Sequence, residues 1–187
     1  MSERAVSALP GAHFKGFVTV QEAGLRGMVT IRCDLASPKL AAALEPLGLA
    51  VPAQRKVESA GEMALAWMSP DELLLMVPHE RAEELAQQLT QALEGEFVTI
   101  ANVSDARAVF TLEGAALRDA LAKICPVDFG ALGPGDIRRT RAAQIAAAIW
   151  FEAEDRAMLV CFRSVAQYMF DLLSAAAAPG SEPALYS

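Results

Sequence analysis

The stretch WMSPDELLLMV, Trp67–Val77, decides the fold: a short Ser-Pro turn feeds an apolar run of strand length. Upstream of it GEMALAWM is a second apolar run, so the pair reads as a β-hairpin. Much later the chain does the same thing again, in WFEAEDRAMLVCF, Trp150–Phe162. Each hairpin is followed by an amphipathic helix. In the first, PHERAEELAQQLTQALEG, apolar Ala82, Leu85, Ala86, Leu89 and Leu93 share one face. In the second, Val165, Tyr168, Met169, Leu172 and Leu173 are expected to do so.

Working outward, each hairpin is also preceded by a strand and a helix. GMVTIRC, Gly27–Cys33, is rich in β-branched residues, and SPKLAAALEPLG has the Ser-Pro start and Gly stop of a short helix. In the second half RAVFTLEG supplies the strand and AALRDALAKIC the helix, with Leu117, Ala120, Leu121 and Ile124 on its apolar face. EFVTIANV closes the first half as a strand. The order β-α-β-β-α therefore occurs twice, and aligning Trp67 with Trp150 gives a repeat of 83 residues. This length is too great for a solenoid repeat. The expected fold is α+β: two ferredoxin-like halves in a pseudo-twofold arrangement. The expected boundaries are an irregular N-terminal segment over 1–26, halves over 27–101 and 102–176, and a flexible tail over 177–187.

Composition sets the class of partner. The 187 residues are 53% hydrophobic, ample for a substantial core. A formal net charge of −7 argues against nucleic acid or an anionic membrane as the main partner, because phosphate recognition needs a dense positive surface. Cys33, Cys125 and Cys161 are widely spaced and form no Cys-x-x-Cys pair, so they read as small buried hydrophobes in a reducing compartment. No signal-peptide pattern and no membrane-length apolar run is present, and a cytoplasmic location is expected.

Candidate chemistry is sparse. Asp71-Glu72 read as solvated turn acids, His79 as a surface or capping residue, and His13 as a lone imidazole. GPGDIRRTR joins a turn to Arg138, Arg139 and Arg141, the densest positive patch. It lacks the glycine pattern that cradles phosphates and reads as an arginine-bearing loop, a candidate partner contact whose guanidinium forks suit carboxylates. The irregular segment Ala5–Phe17 is a second candidate contact. No flavin or nicotinamide fingerprint occurs, and no metal site is expected.

The stretch from Asn102 to Gly135, with Val103-Ser104-Asp105, a strand, Gly114, a helix and Val127-Asp128-Phe129, resembles the folate-binding aminomethyltransferase fold typified by the glycine cleavage T-protein. The resemblance runs from about Gly27 to Leu173. The compact length, the Trp-x-x-Pro-Asp-Glu-Leu-Leu-Leu run and the ending FRSVAQYMFDLL are most similar to the gamma-subunit family of heterotetrameric sarcosine oxidases. Catalytic members of the fold place an acidic pair where this chain has Gly61 and Glu62, and a glycine-tyrosine run where it has Trp150 and Phe151. They also need a further C-terminal domain, and none is expected here.

The resemblance implies a non-catalytic subunit, with no catalytic, cofactor-binding or metal-binding residues of its own. FAD, FMN, NAD and tetrahydrofolate are expected on the alpha, beta and delta partners. The implied complex demethylates sarcosine oxidatively to glycine, with hydrogen peroxide and formaldehyde or 5,10-methylenetetrahydrofolate. The alternative is a free-standing folate-binding protein of the same fold, whose relatives carry a Lys-Gly-Cys-Tyr-x-Gly-like motif absent here.

Overall fold

The computed structural model describes residues 5–186. The chain opens with two short antiparallel strands, β1 (His13–Lys15) and β2 (Thr19–Glu22). A first compact unit then spans Leu25–Ser104, and a second is formed by the residues before and after it.

In the continuous unit, β3 (Gly27–Arg32) leads to α1 (Pro38–Leu44), which begins with proline at its first turn, where the missing N–H costs nothing. A 3-10 turn ends at Gly48 in the left-handed conformation, φ 70°. The strands β4 (Val57–Ala60), β5 (Met63–Ser69) and β6 (Glu72–Val77) form a meander, followed by α2 (Ala82–Ala92) and β7 (Thr99–Asn102). The sheet order is β4-β5-β6-β3-β7, with every neighbouring pair antiparallel. Alternate strand residues Val29, Ile31, Leu65, Leu73, Leu75 and Val77 enter one core. Leu40 and Leu44 of α1 and Leu85 and Leu89 of α2 complete it. This is the ferredoxin-like β-α-β-β-α-β pattern with an added edge strand, β4.

The second unit repeats the pattern with β8 (Arg107–Glu113), α3 (Leu117–Ala122), β9 (Ile137–Ala142), β10 (Ile145–Ala153), β11 (Arg156–Phe162) and α4 (Ala166–Ala176). Its sheet order is β1-β2-β8-β11-β10-β9. The place that β7 holds beside β3 is held here by β2, beside β8. The N-terminal segment, expected to be irregular, is thus partly strand, and Val18 and Val20 are wholly buried in this unit's core.

The repeat is real in each unit, but its spacing is 84 residues, from Ala82 to Ala166 at the helix starts and from Glu72 to Arg156 at the strand starts. Each hairpin has a bulge at its turn end, and the last pair before it is Trp67↔Leu73 in one and Phe151↔Ala157 in the other. Trp67 therefore corresponds to Phe151. Trp150 points to the opposite face from the core residues Ile149 and Phe151, because a one-residue slip along a strand exchanges its faces. The same slip corrects the last helix: Met169 and Leu173, not Tyr168 and Leu172, correspond to Leu85 and Leu89. Met169 is wholly buried while Tyr168 is 49% exposed.

Two adjacent polar residues on α3 tie the second unit together. Arg118 donates to the carbonyls of Phe129, Leu132 and Glu154 at 3.2, 2.8 and 2.7 Å, and pairs with the Glu154 carboxylate at 2.8 Å. Buried Asp119 accepts from the backbone N–H groups of Leu185 and Tyr186 at 2.8 and 3.2 Å. Lys123 donates to Ala176 and Ser181. The segment after α4, expected to fray, is irregular but held by these groups. Phe17 N–H donates to the Ala177 carbonyl at 3.0 Å, and a Cβ on Gly16 would collide with that same carbonyl group.

Two measurements check this packing. Leu85→Ala and Met169→Ala should each cost about 2–5 kcal/mol, while Tyr168→Ala should stay within about 0.5 kcal/mol. Urea midpoints that moved more for Tyr168 than for Met169 would restore the 83-residue alignment. Gly16→Ala should cost about 1–3 kcal/mol through overpacking; an unchanged midpoint would mean the Gly16–Ala177 crossing is loose.

Candidate functional site

The arginine-bearing segment is not a loop. Gly133 N–H donates to the Asp136 carboxylate at 2.9 Å and Gly135 N–H to the Phe151 carbonyl at 2.9 Å, which turns the chain into β9. β9 then pairs with β10 in six-residue register, from Ile137↔Trp150 to Ala142↔Ile145. It is an edge strand, and charged side chains are the common device that keeps such an edge from pairing with a stray strand. The pleat divides the arginines: Arg139 and Arg141 are exposed on one face, while half-buried Arg138 lies on the other and donates to the Ile137 carbonyl at 2.8 Å.

A separate feature lies in the continuous unit. An open cleft of about 640 Å³ runs past Arg32, Cys33, Asp71, Glu96, Phe97 and Thr99. Arg32 faces Asp71 and Glu72 at 3.5 and 3.8 Å, and Ser69 donates to Asp71 at 2.6 Å. The Asp71-Glu72 pair is thus a rim ion cluster. Phe97 is fully exposed. The expected strand EFVTIANV includes it, but β7 begins only at Thr99, which leaves Phe97 on the connection. Phe97 thus sets an apolar ring among the charges at an open cleft.

The remaining candidate groups do not converge. His13 is exposed on β1 and His79 lies in the 3-10 turn before α2. Among the described residues, no three His, Cys, Asp or Glu side chains are placed to share a metal ion. Gly61 and Glu62, the expected counterparts of the acidic pair, form the exposed turn between β4 and β5. Trp150 and Phe151 are buried in β10. All three thiols are buried and free, and burial pushes each one's pKa up, Cys125 to about 12 and Cys161 to about 11. Arg107 partly offsets the rise at Cys161, and the charges of Asp34 and Glu96 add to it at Cys33. None is a poised nucleophile.

Residues 32–179 match the sarcosine oxidase, gamma subunit family. The chain belongs to that family. This gamma-subunit family member is similar to a chain of the heterotetrameric sarcosine oxidase from Corynebacterium sp. U-96, solved in complex with pyrrole 2-carboxylate. The two are 27% identical with a TM-score of 0.79, over 88% of this chain and 86% of that one. The glycine cleavage system aminomethyltransferase T from Bartonella henselae shares the fold at 14% identity and a TM-score of 0.59, over 81% of this chain and 44% of that one. No curated protein matches the chain significantly in sequence. Among the described residues, no helix is long and apolar enough to cross a membrane.

The buried thiols make a pH prediction. Unfolding returns Cys125 and Cys161 to the ordinary value of 9.0, from about 12 and about 11 in the fold. Above pH 9 the unfolded chain sheds these protons first, so their contribution to stability is complete below pH 9 and is lost as pH rises through the folded values. The urea midpoint should fall across that window, and less steeply in Cys125→Ala/Cys161→Ala. Equal slopes in the two proteins would remove the thiols as the cause.

Proposed function

We propose that this chain is the gamma subunit of a heterotetrameric sarcosine oxidase and that it serves assembly, without catalytic residues of its own. The observation that carries the reading is the family match across residues 32–179, and the fold agreement with the Corynebacterium enzyme supports it. In this reading the alpha, beta and delta subunits hold FAD, FMN, NAD and tetrahydrofolate. Those groups supply the oxidative demethylation of sarcosine to glycine. What this chain contributes is surface: the exposed Phe97 with its cleft, and the exposed arginines of β9. The cleft belongs to the continuous unit and the arginines to the edge strand of the other unit's sheet.

Reconstitution tests the proposal. Alpha, beta and delta chains co-expressed with this one should yield a four-chain complex that oxidises sarcosine, while the isolated chain should be colourless, inert toward sarcosine and without tight folate binding. Turnover by the lone chain, or a fully active and equally stable complex lacking it, would sink the reading. Arg139→Glu/Arg141→Glu should weaken co-purification most at low salt and leave the chain's own melting temperature unchanged, since rim charges act through screened attraction. Retention equal to wild type at low salt would exclude the β9 arginines from the interface.

A further inference from the structure

The two units differ at one edge, and the difference exposes a place built for a strand. Ile31 pairs with Leu73 in one unit and Leu112 with Ala157 in the other. Leu73 and Ala157 correspond by the 84-residue spacing, so Ile31 corresponds to Leu112. On the far side, Ile100 of β7 sits opposite Ile31 and Val20 of β2 opposite Leu112. Ile100 therefore corresponds to Val20, and Asn102 to Glu22. In the second unit this strand is covered: β1 lies outside it, Phe14 is opposite Val20 and packs against the core, and Glu22 N–H donates to the Ala12 carbonyl at 2.9 Å. In the continuous unit β7 ends the sheet.

The backbone of β7 presents the same groups. Val103 N–H donates to the Met28 carbonyl at 2.8 Å, and Cys33 N–H donates to the Asp71 carbonyl at 3.1 Å on the opposite side of β3. The alternation of an antiparallel ladder then points the N–H and C=O of Ile100 and Asn102 away from β3. Beside them a groove of about 370 Å³ is lined by Ala86 and Thr90 of α2 and by Ile100. Where α2 has Ala86, the 84-residue spacing gives α4 Phe170, which packs against its core, so the continuous unit lacks apolar volume at that position. Glu83 stands on the rim at 3.1 Å from Asn102 Nδ2, and the hydrogen bonds from Asn102 and Gln87 lower its pKa and keep it anionic. The strand that covers the equivalent edge reads His13-Phe14-Lys15, an aromatic residue between two basic types.

We propose that β7 is a docking edge for an extended segment of a sibling subunit, which adds antiparallel to it. A large apolar side chain opposite Ile100 fills the groove, and a basic neighbour meets Glu83. The occupant rests on the subunit reading above; the vacant edge itself does not. Strand addition draws affinity from main-chain hydrogen bonds and specificity from alternate side chains, which is what this edge offers.

Amide hydrogen exchange on the full chain, free and in the reconstituted complex, tests it. Ile100 and Asn102 amides should exchange about tenfold or more slowly in the complex, as expected for newly bonded amides. Ile100→Pro removes an outward donor and Glu83→Lys reverses the charge that meets the basic neighbour. Each should reduce co-purification about tenfold, the scale of a lost interface anchor. Glu83 is exposed, so Glu83→Lys should shift the melting temperature little, and a folding defect in the proline variant leaves the test intact. A complex in which both amides exchange as in the free chain, or in which Glu83→Lys assembles like wild type, overturns the docking edge and leaves the subunit reading standing. Protection that appears in the chain alone as its concentration rises assigns the edge to a second copy and overturns the sibling occupant. Failure of the wild-type chain to assemble with alpha, beta and delta overturns the subunit reading, and the proposed occupant falls with it.

Discussion

The structure depends on which face of each central strand pair is turned toward the helices. In β3–β6 and in β8–β11 the ladder is antiparallel, so alternate residues join the cluster that packs with the helices: Val29, Ile31, Leu73 and Leu75 in one, Phe110, Leu112, Leu159 and Cys161 in the other. A slip of one residue would turn the wrong set toward the helices. The bulge at the turn end of each hairpin removes that freedom, because it fixes where pairing stops and hence which residue is the last to face inward. Helix spacing then follows from the strand, through the three-residue 3-10 turns that lead directly into α2 and α4.

Long, strongly apolar elements were legible because their periodicity is local. Gly27–Arg32, Glu72–Val77, Ala82–Ala92 and Arg107–Glu113 all announce themselves within a single window. Two edge strands, β4 and β9, did not. β4, VESA, and β9, IRRTRA, carry polar or charged residues because one side of an edge meets water, and a charge run reads as a loop. β2 was hidden for another reason: its partner β8 begins some ninety residues later, and pairing over such a distance leaves no mark in the local sequence. Phe97 was hidden by its neighbours, since an aromatic before Val98 and Ile100 fits a strand pattern as well as a connection. Tryptophan anchored the repeat one residue out of place because the eye pairs like residues, whereas packing pairs like faces.

The polar side of the fold was the least legible. Arg118 and Asp119 stand side by side in an amphipathic helix, where such a pair ordinarily marks the wet face. Here the guanidinium gathers three carbonyls and a carboxylate, and the Asp119 carboxylate takes two N–H groups from residues 66 and 67 positions away. Each replaces water that an irregular segment would otherwise need, and that lets long stretches without helix or strand lie against a packed core. No spacing rule anticipates such partners, because the acceptors are main-chain groups that every residue possesses.

The split of the second unit across the chain has a consequence for synthesis. Leu25–Ser104 is one uninterrupted stretch and holds all the strands of its sheet, so it can close as soon as it has left the ribosome. β1 and β2 precede it and pair with each other, yet β2 has no partner on its other side until β8 follows. For the time taken to translate that interval, a two-stranded ribbon containing Val18, Val20 and Phe14 waits without the core that later covers these residues. Its length of only three and four residues per strand, with His13 and Lys15 at its outer rim, limits how well it can template another nascent chain in that interval.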